Sequence, residues 1–105
     1  MKFEQSVHKQ SKRCDNLLIE KQKDYGSGNI LKFGERGVLV RASDKLERLI
    51  NLLENDKEPK NERIEDTWMD LRNYAQIALM LRAGEFDLPL EEKDAIGGSG
   101  QEWDR

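Results

Sequence analysis

The chain has 105 residues, of which 36% are hydrophobic and 37% are charged, and its net charge is −3. This length allows one domain with a modest core, and the scarcity of apolar residues favours completion of that core by a second copy of the chain. The absence of a strongly basic half argues against duplex nucleic acid as the main partner. The apolar runs are too short to span a bilayer, and residues 1–13 lack the apolar segment of a secretory signal. We therefore expect a cytoplasmic protein that associates with neither duplex nucleic acid nor a membrane.

Helical patterns dominate the first half of the chain. Residues 3–23 carry a narrow apolar stripe on a charged background, which predicts a surface helix that ends at the DYG of residues 24–26. The next segment, SGNILKFGERG at residues 27–37, contains three glycines around Ile30, Leu31 and Phe33. It predicts a loop that its apolar residues pin to the core, with at most one helical turn.

Two further helices are predicted, from about residue 38 to 54 and from Asn61 or Glu62 to Ala83. The apolar residues of the second helix follow a 3.6-residue period at Leu39, Ala42, Leu46, Leu49, Ile50 and Leu53. The GGSG at residues 97–100 predicts a flexible tail. We predict an all-α fold with a single helical domain at residues 1–90, a C-terminal tail at 91–105 and a bundle completed by homo-oligomerisation.

A column of polar side chains marks the third predicted helix. At about 100° per residue, Glu62, Asp66, Asp70 and Asn73 fall within roughly an 80° arc. The column continues into the apolar Ile77, so Asp70 and Asn73 should lie at the edge of buried surface, where a carboxylate needs a partner. Oxygen ligands of this kind suit Mg²⁺ or Mn²⁺. The alternative is that these acids form salt bridges with a neighbouring helix.

The second helix carries a charged flank, RASDKLER, away from the centre of its apolar seam. One interpretation is a solvated face on which Asp44 and Arg48, four residues apart, form an ion pair worth about 0.3–0.5 kcal/mol. The other is a surface that faces a ligand or a second subunit, where Arg41, Lys45 and Arg48 meet phosphate and Asp44 shares a metal with the third helix.

The segment KQKDYG contains Lys21, Asp24 and Tyr25 at the end of the first helix. It is typical of an ordinary helix terminus. The functional alternative is that Tyr25 stacks on a base while the lysines reach phosphate, although the segment lacks the spaced glycines of a P-loop. Cys14 and His8, the only residues of their kinds, and Trp68 are interpreted as core or surface residues.

Three segments together resemble the small "nucleotide modification associated" helical domain of bacteriophages and bacteria. They are KQKDYG (21–26), GVLVRASDKLERLINLL (37–53) and NERIEDTWMDLRNYAQIAL (61–79), and the resemblance covers roughly residues 14–82. It implies a role in phage nucleotide metabolism. It also implies a layout similar to the all-α nucleoside triphosphate pyrophosphohydrolases of the MazG type, which hold Mg²⁺ with acids from two helices and cleave between the α- and β-phosphates. The E-E-x-x-E cluster of those enzymes is absent here, where the second helix offers only DKLE at residues 44–47.

Three hypotheses remain open. The first is a Mg²⁺-dependent (or Mn²⁺-dependent) nucleotide pyrophosphohydrolase, with Asp66 and Asp70 catalytic and a metal set of Asp44, Glu62, Asp66 and Asp70. The second is a non-catalytic protein that captures a nucleotide, or a cyclic or ADP-ribose-type defence signal. If a phage encodes it, it would act in the cytoplasm of the host cell. It needs Tyr25, Arg41, Lys45 and Arg48 at a subunit interface and no metal. The candidate ligand-binding residues as a whole are Lys21, Asp24, Tyr25, Arg41, Lys45, Arg48 and Asn73. The third is a helical interaction protein without a ligand. The hydrolase stands slightly ahead because the acids outnumber what phosphate binding alone would need.

Overall fold

The computed structural model describes residues 1–91, and these fold into three α-helices without a strand. They are α1 (Phe3–Tyr25), α2 (Gly28–Glu54) and α3 (Ile64–Ala83). The predicted all-α class is therefore confirmed for the described part of the chain. The predicted flexible tail lies outside the described residues, except for residue 91. No helix within residues 1–91 combines the length and the apolar character needed to cross a membrane.

Glycines close α1 and α3 where the sequence predicts it. Gly26, at φ 68°, ends α1, and its amide donates a hydrogen bond of 2.9 Å to the carbonyl of Gln22. Gly84 adopts the left-handed conformation after Ala83, and the following amide of Glu85 donates to the carbonyl of Met80 at 2.9 Å. Positive φ angles carry little steric cost for glycine, so both residues can turn the chain and satisfy terminal carbonyls.

The prediction of a loop at residues 27–37 is wrong. Residues 28–37 belong to α2, which is interrupted only by a kink at Gly34, where φ is 65° and ψ is −157°. Among the three glycines of this segment, Gly34 alone has a positive φ. The stretch therefore consists of a short helical piece joined to the long helix through one non-helical residue. The predicted start of α3 is also early, because Arg63 is its N-cap and Glu62 precedes the helix.

A small core lies where α3 meets α2 and the segment after α3. Val38, Ile77 and Phe86 form its buried cluster, and Leu18 of α1 packs against it. Leu49 and Leu52 are buried further along α2. By contrast, much of the predicted seam of α2 is exposed in the single chain. The exposed residues of that seam are Leu39, Leu46, Ile50 and Leu53.

Candidate functional site

Lys45 connects two carboxylates between α2 and α3. Its ammonium lies 3.2 Å from Asp70 and 3.4 Å from Glu62, while Lys21 of α1 approaches the other oxygen of Asp70 at 2.8 Å. Asp70 is buried, as its position at the edge of the apolar surface predicts. Asp70 thus forms ion pairs with one lysine of α1 and one lysine of α2, as a buried charge requires.

The pKa of Lys45 reflects this position. Partial burial alone would lower it, because the charged form loses solvent. The hydrogen bond and charge of Asp70, followed by those of Glu62, outweigh that effect and raise the pKa above the ordinary value of 10.5. Lys45 is therefore a stable cation at neutral pH and a permanent partner of both acids.

Arg48 extends the network by one helical turn. Its guanidinium donates to the hydroxyl of Thr67 at 2.5 Å and to the backbone carbonyl of Glu62 at 2.7 Å. Thr67, which is fully buried, donates in turn to the Glu62 carboxylate at 2.7 Å. The predicted ion pair between Asp44 and Arg48 does not form, because Arg48 points across to the start of α3 while Asp44 is exposed. Glu62 and Asp70 therefore form salt bridges with a neighbouring helix, which is the alternative to metal binding that the sequence left open.

Asn73 ties α1 to α3. Its side-chain amide donates to the carbonyl of Cys14 at 2.9 Å, and its oxygen accepts from Arg72 at 3.0 Å. Arg72 also contacts Asp15 at 2.9 Å and Ser11 at 3.1 Å. These contacts hold the middle of α1 against α3 and so fix one wall of the cleft described next.

A cleft of about 420 Å³ opens between α1, α2 and α3. Five residues singled out in the sequence line it, namely Lys21, Tyr25, Arg41, Asp70 and Asn73. Its remaining lining includes apolar side chains of all three helices and of the segment after α3. These are Leu18, Ile30, Ile77 and Phe86, together with Tyr74 and the polar Gln22 and Asn29. The cleft therefore combines an apolar floor with a few cationic and amide groups, the usual composition of a small-molecule site.

Arg41 is the least constrained cation of the cleft. It is half-buried, and within residues 1–91 it forms no ion pair or side-chain hydrogen bond. Among the described residues, the charged groups that line the cleft are Lys21, Arg41 and Asp70, so its lining carries one more positive than negative charge. An anion entering the cleft would meet net positive charge and an arginine with free donors.

Three predicted site residues lie apart from this cluster. Asp24 and Asp44 are exposed and do not line the cleft. Asp66 pairs with Arg63, the N-cap of α3, at 3.0 Å, and hydrogen bonds from that guanidinium hold the pKa of Asp66 below its ordinary 3.8. The structure thus brings together the lysines, the arginines, Tyr25, Asn73, Asp70 and Glu62, and leaves these three acids outside.

In this arrangement the carboxylates of Asp70 and Glu62 already have cationic or hydrogen-bonding partners. Each oxygen of Asp70 contacts a lysine ammonium, and the Glu62 carboxylate contacts Lys45 and the hydroxyl of Thr67. A cation would have to displace these groups before it could coordinate either residue. Within residues 1–91, no three acidic, histidine or cysteine side chains are grouped as metal ligands. Binding of Mg²⁺ or Mn²⁺ stays a prediction, which the experiment below tests.

Sequence reasoning missed Thr67 and Phe86. Thr67 lies three residues before Asp70, on the same side of α3, so helical spacing could have included it. Phe86 follows the end of α3, and only the reversal of the chain at Gly84 brings it back to the cleft. Comparison with family models, curated proteins and solved structures finds no match to this chain. The resemblance to the nucleotide modification associated domain therefore stays a prediction that depends on the three quoted segments.

Proposed function

We propose that this protein binds a nucleotide, or a small molecule derived from one, in the cleft between its three helices and does so without turnover. The observation that carries the proposal is Arg41, a half-buried guanidinium that lines the cleft and has no carboxylate partner within residues 1–91. Arginine donors suit phosphate oxygens in a bidentate arrangement. With Lys21 on the opposite helix, Arg41 provides a phosphate clamp at one side of the cleft.

The rest of the cleft suits the other parts of a nucleotide. Tyr25 is 79% exposed where α1 ends, so its ring is free to stack on a base. The side chains of Gln22 and Asn29 can form hydrogen bonds with the edge of that base. Ile30 and Phe86 would contact the face of the sugar or base. A volume of about 420 Å³ lies at the lower end of the usual range for ligand sites, which favours a mononucleotide over a larger ligand.

Mg²⁺-dependent pyrophosphate cleavage is the second candidate, and one observation favours it: Asp70 is a buried carboxylate in the wall of a cationic cleft. Its weakness is that Asp70 already pairs with Lys21 and Lys45. The binder needs no such rearrangement, so we rank it first. This ranking reverses the one drawn from the sequence, because the number of acids matters less once their partners are known.

The decisive experiment incubates the protein with canonical, cyclic, modified and ADP-ribose-type nucleotides, with and without Mg²⁺ or Mn²⁺. Titration calorimetry measures affinity, and chromatography identifies what is in solution and what the denatured protein releases. We expect one class of nucleotide to bind and to be recovered unchanged. A nucleoside monophosphate and pyrophosphate, formed only with metal and lost in Asp70→Asn, would instead establish the hydrolase. No binding by any member of the panel would contradict both and leave the helical interaction protein.

A matched pair of arginine variants tests the cleft itself. Arg41→Met removes the free guanidinium and should weaken binding at least about tenfold, the usual loss for a charge-assisted contact to phosphate. Arg13→Met removes the same charge from α1, where Arg13 is exposed and does not line the cleft. Its affinity should match that of the wild type. Equal losses in the two variants would indicate non-specific attraction rather than a site.

A further inference from the structure

A second surface of the molecule, opposite in character to the cleft, is apolar and exposed. Six large side chains form it, and between 44% and 68% of each is accessible. We call it the outer face, and it comprises Leu39, Leu46, Ile50 and Leu53 of α2 with Trp68 and Leu79 of α3. A groove of about 520 Å³ between the two helices adjoins this face at Leu39, and its lining includes the small side chains of Ala42, Ala75 and Ala78.

The two helices contribute to one continuous face because of their antiparallel register. Glu35 pairs with Arg82 near one end, and Arg48 contacts Thr67 nearer the other. This register sets the middle of α2, around Leu46, level with the part of α3 that contains Trp68. The outer face therefore extends along most of both helices, while the polar contacts with α1 lie on the other side of the pair.

We propose that the outer face is the interface with a second copy of this chain, in which α2 packs antiparallel against α2 of the partner about a two-fold axis near Leu46. The exposed area fits this occupant. From their exposed fractions, the six side chains leave on the order of 500 Å² of apolar surface in contact with solvent. A standard interface buries about 800 Å² per partner, of which roughly 60% is apolar, so the outer face supplies what a stable dimer needs.

The spacing of the leucines also fits a helix pair. Leu39, Leu46 and Leu53 recur every seven residues, the period at which one side of a helix keeps facing a packed neighbour. Because Leu46 is midway between the other two, an antiparallel partner centred on it sets Leu39 level with Leu53 of the partner subunit. The seam is thus self-complementary, as a two-fold interface requires.

Charge along the edge of the seam has the matching pattern. Arg36 and Glu54 are 18 residues apart, which is about five helical turns, so they lie on the same edge of α2. Both are exposed, and neither takes part in an ion pair with another of residues 1–91. Their midpoint is residue 45, next to the proposed axis. An antiparallel copy consequently sets Arg36 beside Glu54 of the partner subunit, twice in each dimer, whereas in a parallel two-fold pair this edge of the two helices would lie on opposite sides of the interface and form neither contact.

The first test compares two lysine substitutions at positions of equal exposure. Leu46 and Val7 are both 48% exposed, so neither Leu46→Lys nor Val7→Lys should disturb the fold, which circular dichroism checks. In sedimentation equilibrium over a concentration series, we expect the wild type and Val7→Lys at twice the chain mass of 12.2 kDa. Leu46→Lys sets two ammonium groups against each other at the axis and should weaken the dimer about a hundredfold or more.

A wild-type monomer at every concentration would overturn the proposal. The proposal would also be overturned if Val7→Lys dissociated the dimer while Leu46→Lys remained dimeric, because that result would indicate an interface on α1. The second test addresses direction: Arg36→Glu should weaken the dimer about tenfold, and Arg36→Glu with Glu54→Arg should restore it. Failure of the double variant to recover would contradict the antiparallel arrangement.

Discussion

Replacement of Lys45 by methionine measures how much a partly buried cation between α2 and α3 contributes to stability. Methionine keeps a flexible apolar stem of similar length, so the change removes mainly the charge. Only 23% of the lysine side chain is exposed, and it serves both Asp70 and Glu62. Without it, Asp70 keeps Lys21 as its cationic partner within residues 1–91, and Glu62 keeps Arg48 at 3.9 Å.

The magnitude follows from burial. Breaking a fully buried ion pair costs about 3–5 kcal/mol, whereas an exposed pair contributes about 0.2–1 kcal/mol. Lys45 lies between these limits and Asp70 retains a second lysine, so we expect Lys45→Met to lower the free energy of unfolding by about 2 kcal/mol. For a chain of this size the melting temperature should fall by about 8–16 °C. Urea denaturation followed by far-UV circular dichroism measures the difference directly.

Lys21→Met is the matched control, because it removes a contact to the same carboxylate. Lys21 is closer to Asp70, at 2.8 Å, but 48% of its side chain is exposed. Because solvent screens this exposed pair, Lys21→Met should lower the free energy of unfolding by only about 0.5 kcal/mol. We therefore expect burial, rather than distance, to set the strength of these two ion pairs. Equal losses from the two lysine variants would refute it.

Three further predictions concern the kink, the cleft floor and pH. Gly34→Ala should lower the free energy of unfolding, measured by urea denaturation, by about 1–3 kcal/mol, because the backbone angles of Gly34 are accessible almost only to glycine. Gly28 is helical and has open space where a Cβ would lie, so Gly28→Ala should be neutral or slightly stabilising. Phe86 is only 4% exposed, so Phe86→Ala should lower the free energy of unfolding by about 3–5 kcal/mol. The control Phe3→Ala changes an exposed side chain and should lower it by less than about 0.5 kcal/mol. A small decrease for Phe86→Ala would contradict the position of Phe86 in the core. The raised pKa of Lys45 means that its stabilisation is complete below 10.5 and disappears as pH rises through the higher folded value, so the stability difference between the wild type and Lys45→Met should shrink above pH 10.5.

The sequence predicts those features that depend on local chemistry. Gly84 ends α3 because a glycine after an apolar helix can adopt the left-handed cap, and this requires no knowledge of the rest of the fold. Asp70 and Asn73 are buried, as the continuation of their column into Ile77 indicates. The same local rules fail at residues 28–37, where three glycines predict a loop although only Gly34 departs from the helix.

Partners across the fold are less accessible to sequence reasoning. Arg48 has Asp44 four residues away, which is the favoured spacing for an ion pair within a helix. In the structure Arg48 instead contacts Thr67 and Glu62. This choice depends on the register and rotation of α2 against α3, which no local pattern contains. For the same reason, the acidic column could not be recognised as paired with lysines until the helices were placed side by side.

The rotation of α2 also explains why its most regular apolar seam faces outward. A turn of about 100° about its axis would bring Leu46 and its neighbours against α3 and bury more apolar surface. It would also carry Lys45 and Arg48 away from Asp70 and Thr67, which are both buried. Asp70 would keep only Lys21 and Thr67 would keep only Glu62, so each buried group would lose a hydrogen bond from a charged donor. Such a hydrogen bond contributes about 1.5–3 kcal/mol, so the two losses together oppose the gain from burying the leucines. The polar contacts therefore fix which side of α2 meets α3, and the same rotation that forms the cationic cleft leaves the outer face open for a second copy.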